Sequence, residues 1–482
     1  MIQSPGESEF RPQTGAVKFA MFIAGAVLLL MMGFGLVMRA AQGAIITLSP
    51  MTFYEVMTAH GAGMVATASL TGAAILWYFM GRHLDLAGAV FWAFIASFLI
   101  SAALVLESVF IGGYAGAWTF LYPLPALSNN AWSHNAAATF LLGYLVLGTG
   151  FLVLYLEIGR KLIARYGGIG GALGWPTMVG RKVDPPPPSV IAAMATIIFN
   201  AIGTVAGAIV VVASIVNMYY PEFEIDALLA KNLIYFFGHV FINSTIYMAV
   251  IAVYELIPEY TGVKWKASRL FITSWSLVIL YVLAVYPHHL FQDMAMPGWM
   301  MIMGQVLSYL SGIPLLAVTA FSLIVYLGKA KSMHWDLASA MLVLGVAGWS
   351  MGAVPAIIDG MISVNSVMHN TLWVPGHFHT YLILGEIAMS FGFMMWLVRR
   401  KSGAAHPRLG WLVFLAYVVG GLGFVLMFLV SGAMSVPRRW AVYAPEWISV
   451  TQIATGFAVL LITGATALFV IYVLRLRAAA DR

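Results

Sequence analysis

The sequence predicts an all-α polytopic membrane protein of twelve transmembrane helices, with both termini cytoplasmic and residues 1–482 forming one domain. Three observations carry this. The chain is 62% hydrophobic and only 9% charged. Apolar runs follow one another from end to end, each with the roughly 20 residues a helix needs to cross hydrocarbon. The cations, finally, fall on alternate loops.

The runs lie at about 16–41, 50–80, 87–113, 134–159, 190–220, 228–258, 268–286, 299–328, 335–361, 369–399, 409–434 and 447–474. The first follows the polar stretch 1–15 and, at about 26 residues, is too long for the apolar region of a cleavable signal, so it reads as a span. The second carries His60 and the third Glu107. The sixth carries His239, the seventh ends in YPHHL, and the tenth contains HNTLWVPGHFH. Connections are short except 115–133 and the Gly- and Pro-rich 160–188. The latter ends in four prolines and reads as an extended connector. With the amino terminus inside, twenty of the twenty-four Lys and Arg residues fall on the inner side, leaving Arg39, Lys231, Arg438 and Arg439 outside. That bias is the positive-inside pattern, and one span more or fewer would scramble it. It also accounts for the net charge of +6 without a nucleic-acid partner, for which no motif is present.

The stretch 364–384 organises the chemistry. It sets His369, His377 and His379 in an apolar segment, where an ionisable side chain is costly unless it is paired or ligates something. Two residues along a helix subtend about 200°, so His377 and His379 leave one helix in nearly opposite directions and serve two centres. By the span count, His60, His239, His288, His289, His377 and His379 converge on one layer in the outer half of the membrane. The remaining histidines, His83, His134, His334 and His406, read as surface residues. With no cysteine, this chain holds no disulfide, thiolate, iron–sulfur cluster or covalent c-type haem. A metal here takes imidazole, carboxylate, amide or thioether. A facing pair of imidazoles closes both axial positions of a haem iron, whereas a single imidazole leaves one position open. His60 with His379 suits the first role and His377 the second, while His239, His288 and His289 suit a three-imidazole copper or iron site.

These motifs resemble the catalytic subunit of the haem–copper oxidoreductase superfamily, which contains terminal oxidases and nitric oxide reductases. The resemblance rests on YFFGHVFIN, YPHHLFQD, WVPGHFH, MTAHGAGM and VPRRW, and HNTLWVPGHFH is closer to the B-type branch. It implies a low-spin haem, b-type, on His60 and His379 and a high-spin haem, b-type or a variant, on His377. It further implies haem propionates against His369, Arg438 and Arg439, and a non-haem metal on His239, His288 and His289. In A- and B-type oxidases a tyrosine stands four residues after the first metal-ligating histidine and helps to split dioxygen; here that position is Asn243. Positions i and i+4 share a helix face, so Asn243 is expected to point at the same metal. Its amide oxygen, as a fourth, hard ligand, favours iron over copper. Nitric oxide reductases resemble this arrangement.

The expected function is therefore catalytic subunit of a membrane nitric oxide reductase, with a B-type oxidase reducing O2 to water (cytochrome c oxidase) as the alternative. The expected partner is a second subunit that delivers electrons through a dinuclear copper centre or a c-type haem domain, supplied by cytochrome c or a cupredoxin. The expected location is a bacterial or archaeal cytoplasmic (inner) membrane. Tyr281 and Tyr286 are candidate replacements for the missing phenol. Glu107, Glu386 and Asp359 are candidate proton carriers. The polar side chains on the inner halves of the sixth span (Ser244, Thr245, Tyr247, Tyr254) and the eighth (Thr319, Ser322) are few, which argues against strong proton pumping.

Overall fold

The computed structural model describes residues 10, 12–399 and 407–480. His406 and four of the cations counted above, Arg11, Arg400, Lys401 and Arg482, lie outside the described residues. Among the described residues, twelve helices are long and apolar enough to cross a membrane: α1 Thr14–Gln42, α2 Pro50–Met80, α3 Gly88–Phe110, α4 His134–Tyr166, α5 Pro188–Tyr219, α6 Ala227–Thr261, α7 Arg269–Leu290, α8 Gly298–Lys329, α9 Leu337–Asp359, α10 Trp373–Leu397, α11 Arg408–Ala433 and α12 Pro445–Ala478. Sequence neighbours pair closely, notably α1 with α2, α3 with α4, α5 with α6 and α11 with α12.

Local signals set the ends. Ser49, Ser133, Asp226 and Ser268 each accept a backbone N–H at the start of α2, α4, α6 and α7, and Asp336 forms a reciprocal capping box with Ser339 on α9. Glycines in the left-handed region, Gly167 (φ 71°) and Gly262 (φ 67°), close α4 and α6. α4 thus runs to Tyr166, and the connector expected to be extended holds two short helical turns, Ile169–Ala172 and Trp175–Met178.

The tenth span begins at Trp373 rather than at 369, because the main chain before it is engaged elsewhere. Ile362–Met368 forms a separate short helix, and Thr371 makes an antiparallel bridge with Pro437. Leu372 N–H donates to Val436 O and Arg438 N–H to Asn370 O, both at 2.9 Å. His369 therefore sits outside the span, in the connection between α9 and α10.

Three helices are central. In α2, α6 and α10, 83% of the most apolar window is buried, against 28–56% in the others. These three carry His60, His239, His377 and His379, so the histidines lie where the bundle is thickest. α9 packs onto α10 through small residues. A Cβ at Gly348 would come within 2.3 Å of Leu384 O and 2.4 Å of Leu384 Cβ, so only glycine permits this approach.

Gly348→Ala is expected to force α9 and α10 apart at a cost of about 1–3 kcal/mol, the usual penalty for overpacking, and to lower the midpoint of thermal unfolding in detergent. Gly33→Ala, at a site with nothing within 4 Å, is expected to leave the midpoint unchanged. Equal midpoints for the two variants would show that the contact does not hold the helices together.

Candidate metal and haem centres

His60 on α2 and His379 on α10 face each other with ring centroids 6.4 Å apart and planes inclined by 14°. Two imidazoles that bind one metal from opposite sides through Nε2, at metal–nitrogen distances of about 2 Å, have centroids roughly 6 Å apart. The residues present therefore fit a six-coordinate haem iron. Each Nδ1 lies 2.7 Å from a backbone carbonyl, His60 from Met31 O and His379 from Pro375 O. Donating there, each ring keeps the proton on Nδ1 and leaves Nε2 as the free lone pair. Gly35 makes the first of these bonds possible. A Cβ at that position would lie 2.8 Å from His60 Cε1, so a larger residue would push the ring off the Met31 carbonyl.

His239, His288 and His289 form a group able to hold a metal ion, with one nitrogen from each ring within 4.8 Å of the others. His239 Nδ1 is 3.2 Å and His288 Nε2 3.0 Å from His289 Nε2. Metal–nitrogen bonds of about 2 Å in tetrahedral array put ligand nitrogens roughly 3.3 Å apart, so the spacing fits one shared ion. His288 Nδ1 is engaged by Ser308 Oγ at 2.7 Å, again leaving Nε2 for the metal. His377 turns to the other flank of α10 from His379, with Nδ1 3.3 Å from Gly352 O on α9, and it lies within electrostatic reach of all three imidazoles.

Asn243 does reach His239, but through its nitrogen. Nδ2 donates to His239 O at 2.8 Å and lies 3.1 Å from His239 Nε2, whereas it is Nδ1 of that ring that approaches His289. In this arrangement the amide braces the far side of the imidazole. Its oxygen reaches the metal-binding group only if the side chain turns and releases the His239 carbonyl.

Beyond the imidazoles lies a cluster of cations. Arg438 Nη2 contacts Asn370 Oδ1 at 3.5 Å, and burial, together with the neighbouring Arg439, pushes its guanidinium down to about 10. Burial, reinforced by both arginines, holds the His369 imidazole at about 4, so it is neutral near pH 7. Among the described residues neither arginine forms an ion pair, which suits an anionic ligand such as a haem propionate. Arg439 also holds a left-handed backbone, φ 65°, uncommon for a side chain of its size.

Several residues differ from their sequence reading. Arg39, counted only as an outer cation, is 6% exposed and unpaired with any acid among the described residues. Its guanidinium lies over Phe428 at 4.9 Å and contacts Tyr443 Oη at 3.3 Å, next to His60 and His379. Tyr235 stacks on His289 at 5.9 Å; its place four residues before His239 is the signal that was available. Tyr286 donates to Asn232 Oδ1 at 2.9 Å and so is spoken for elsewhere. His83 is not a free surface residue: it lies 3.6 Å from Glu255, which also meets Arg82. His134 opens α4 with Nε2 3.0 Å from Ala126 O. Glu107 is exposed on α3, whereas Glu386 is fully buried.

The sequence model of the family described as Cytochrome C and Quinol oxidase polypeptide I matches residues 15–466. Among curated proteins, the chain is 29% identical over 238 residues to a cytochrome c oxidase subunit 1 of Thermus thermophilus, covering 45% of this chain and 41% of that one. It is 26% identical over 234 residues to a heme-copper oxidase subunit I+III of Aeropyrum pernix (48% and 28%), and 24% identical over 373 residues to a cytochrome c oxidase subunit 1 of Thermostichus vulcanus (74% and 62%). Each match spans less than two thirds of the relative's own length. A solved heme-copper terminal oxidase dimer superposes with a TM-score of 0.75 at 20% identity, over 96% of this chain and 84% of that one, which establishes the likeness of fold.

His60→Ala and His379→Ala are each expected to abolish the six-coordinate low-spin haem spectrum while the helical circular dichroism persists. His377→Ala is expected to abolish CO binding to the reduced protein and to spare the low-spin bands. A full low-spin spectrum in either of the first two variants, or a photolysable CO complex in the third, refutes the corresponding pairing.

Proposed function

Because the chain belongs to the cytochrome c and quinol oxidase polypeptide I family, we propose that it is the catalytic subunit of a membrane nitric oxide reductase, taking two NO, two electrons and two protons to N2O and water. One observation carries the choice within the family. The side chain braced against His239 is the amide of Asn243, where the oxidases it resembles use a phenol. An amide has no electron and proton to give for splitting dioxygen, whereas joining two NO molecules does not need such a donor.

In this reading the metals, when bound, would supply the redox chemistry: His60 and His379 would hold the low-spin haem, His377 the high-spin haem, and His239, His288 and His289 the non-haem ion, with iron favoured over copper. The work of the chain is positional. Carbonyls of α1, α9 and α10 fix the tautomers of His60, His377 and His379. His369, Arg438 and Arg439 hold the propionates, and Arg39 answers the polar edge of the low-spin haem. A fourth, oxygen ligand from Asn243 requires the amide to turn from its present bonds. Tyr254 and Thr319, 2.6 Å apart, begin a proton path that stays short, consistent with proton supply without strong pumping. Electrons arrive through a second subunit with a dinuclear copper or c-type haem domain, supplied by cytochrome c or a cupredoxin. The termini are cytoplasmic, in a bacterial or archaeal inner membrane.

The B-type oxygen reductase is the second reading, favoured by one contact. Tyr235 puts a phenol ring against a metal-binding imidazole, stacked at 21° on His289.

Asn243→Leu is expected to lower non-haem metal occupancy and NO turnover together, by about tenfold or more, as removal of a metal-supporting side chain commonly does. Asn243→Asp is expected to keep the metal and alter the pH profile. Full occupancy with wild-type NO turnover in the Leu variant would reduce Asn243 to packing. Faster turnover of O2 than of NO by the purified complex, lost in Tyr235→Phe, would establish the second reading instead.

A further inference from the structure

Seven residues beyond His379 on α10, Glu386 is fully buried and belongs to none of the centres described above. Thr71 Oγ1 of α2 lies 2.7 Å and Ser390 Oγ 3.1 Å from its Oε1, and the two hydroxyls are 2.9 Å from each other. Thr71 also reaches Ala68 O at 2.8 Å. Four close contacts therefore share two hydroxyl hydrogens, and a carboxyl proton would supply a third. Meanwhile Oε2 is shielded from solvent and, among the described residues, has no hydrogen-bond partner. An unpartnered carboxyl oxygen in an apolar interior is costly in either protonation state, which marks a group kept for use rather than for packing.

Position says what use. Thr71 follows His60 by eleven residues on α2, close to three α-helical turns, while on α10 the π-helical stretch Thr380–Ile387 carries the chain from His379 to Glu386 and Ser390. The cluster therefore joins the two helices that carry the imidazole pair, with Thr71 on the His60 face of α2 and Glu386 on the order of 10 Å beyond His379 along α10. Charges that far apart in a dry interior interact with little screening. Few other groups compete. Thr71 faces Glu386 from α2, and Tyr417 approaches it from α11 with its hydroxyl committed to Ile383 O at 2.6 Å. Among the described residues Glu386 makes no ion pair.

We propose that Glu386 is an electron-linked proton acceptor, taking up one proton when one electron enters the metal centre between His60 and His379 and releasing it on reoxidation. The carboxylate becomes a carboxyl as the iron gains one electron from an external reductant, so charge in the buried region is conserved. The inference rests on the reading of His60 and His379 as a haem pair.

The test uses the haem-loaded complex with dithionite as reductant. Optical spectra first establish the low-spin bands, which probe the haem pair alone; their absence from wild type overturns that reading and this inference with it. Potentiometric titration of those bands is then expected to give a midpoint that falls as pH rises, and reduced-minus-oxidised infrared spectra a carboxyl C=O band that shifts in D2O. Glu386→Gln is expected to keep the low-spin bands and lose both the pH slope and the infrared band. Should the glutamine variant fail to assemble, Thr71→Val serves, since it removes one hydroxyl partner and must move the carboxyl band. A wild-type midpoint independent of pH, an unaltered slope and band in Glu386→Gln, or a band unmoved in Thr71→Val overturns the proposal.

Discussion

The arrangement depends on which nitrogen of each buried imidazole carries the proton. A neutral ring in an apolar bundle has one donor and one acceptor, and a metal is held only by the acceptor. The main chain makes that decision at His60, His379 and His377, where carbonyls of Met31, Pro375 and Gly352 engage Nδ1. Such carbonyls are already used by their own helices; His379 shares that of Pro375 one turn back on α10, whereas His60 and His377 reach across to another helix, which must come very close. Gly35 makes that approach possible on α1. On α9 the tight seat of Gly348 against Leu384 brings Gly352 O within reach of His377. The glycines thus set the direction of a lone pair at the candidate centres, at a distance from them.

His239 departs from this pattern, and the departure explains why its neighbour matters. Its Nδ1 faces the other imidazoles and its Nε2 faces outward, so no backbone carbonyl fixes its tautomer. A side chain must do so instead: Asn243, one turn along α6, stands at that nitrogen with its Nδ2, and only with Oδ1 turned to it would the proton sit on Nε2 and leave Nδ1 free for a metal. An amide can turn to offer either a donor or an acceptor.

Much of this was legible in the sequence because the signals are local and repeated. Apolar runs marked the twelve helices to within several residues, and the span count placed His60, His239, His377 and His379 on the three helices that prove central. The features that escaped are tertiary. The start of α10 depends on a strand-like contact with the segment around Val436, far away in the chain. The direction of the Asn243 amide is a torsion that i, i+4 spacing leaves open. The burial of Arg39 depends on Phe428 and Tyr443, which belong to α11 and to the loop that follows it, and the place of Tyr235 depends on α7 bringing His289 over it.

The contact between the two connections, Thr371 with Pro437 flanked by the bonds Leu372 to Val436 and Arg438 to Asn370, is made entirely of main-chain atoms. It sets the register of His369 and His377 on one side and of Arg438 and Arg439 on the other. Its specification accordingly resides in the number of residues in each segment more than in their identities. Divergence in this region is tolerable when it exchanges one residue type for another, but gaining or losing a single residue between Asn370 and His377, or between Val436 and Arg438, would rotate the imidazoles or the cations away from the centre they share.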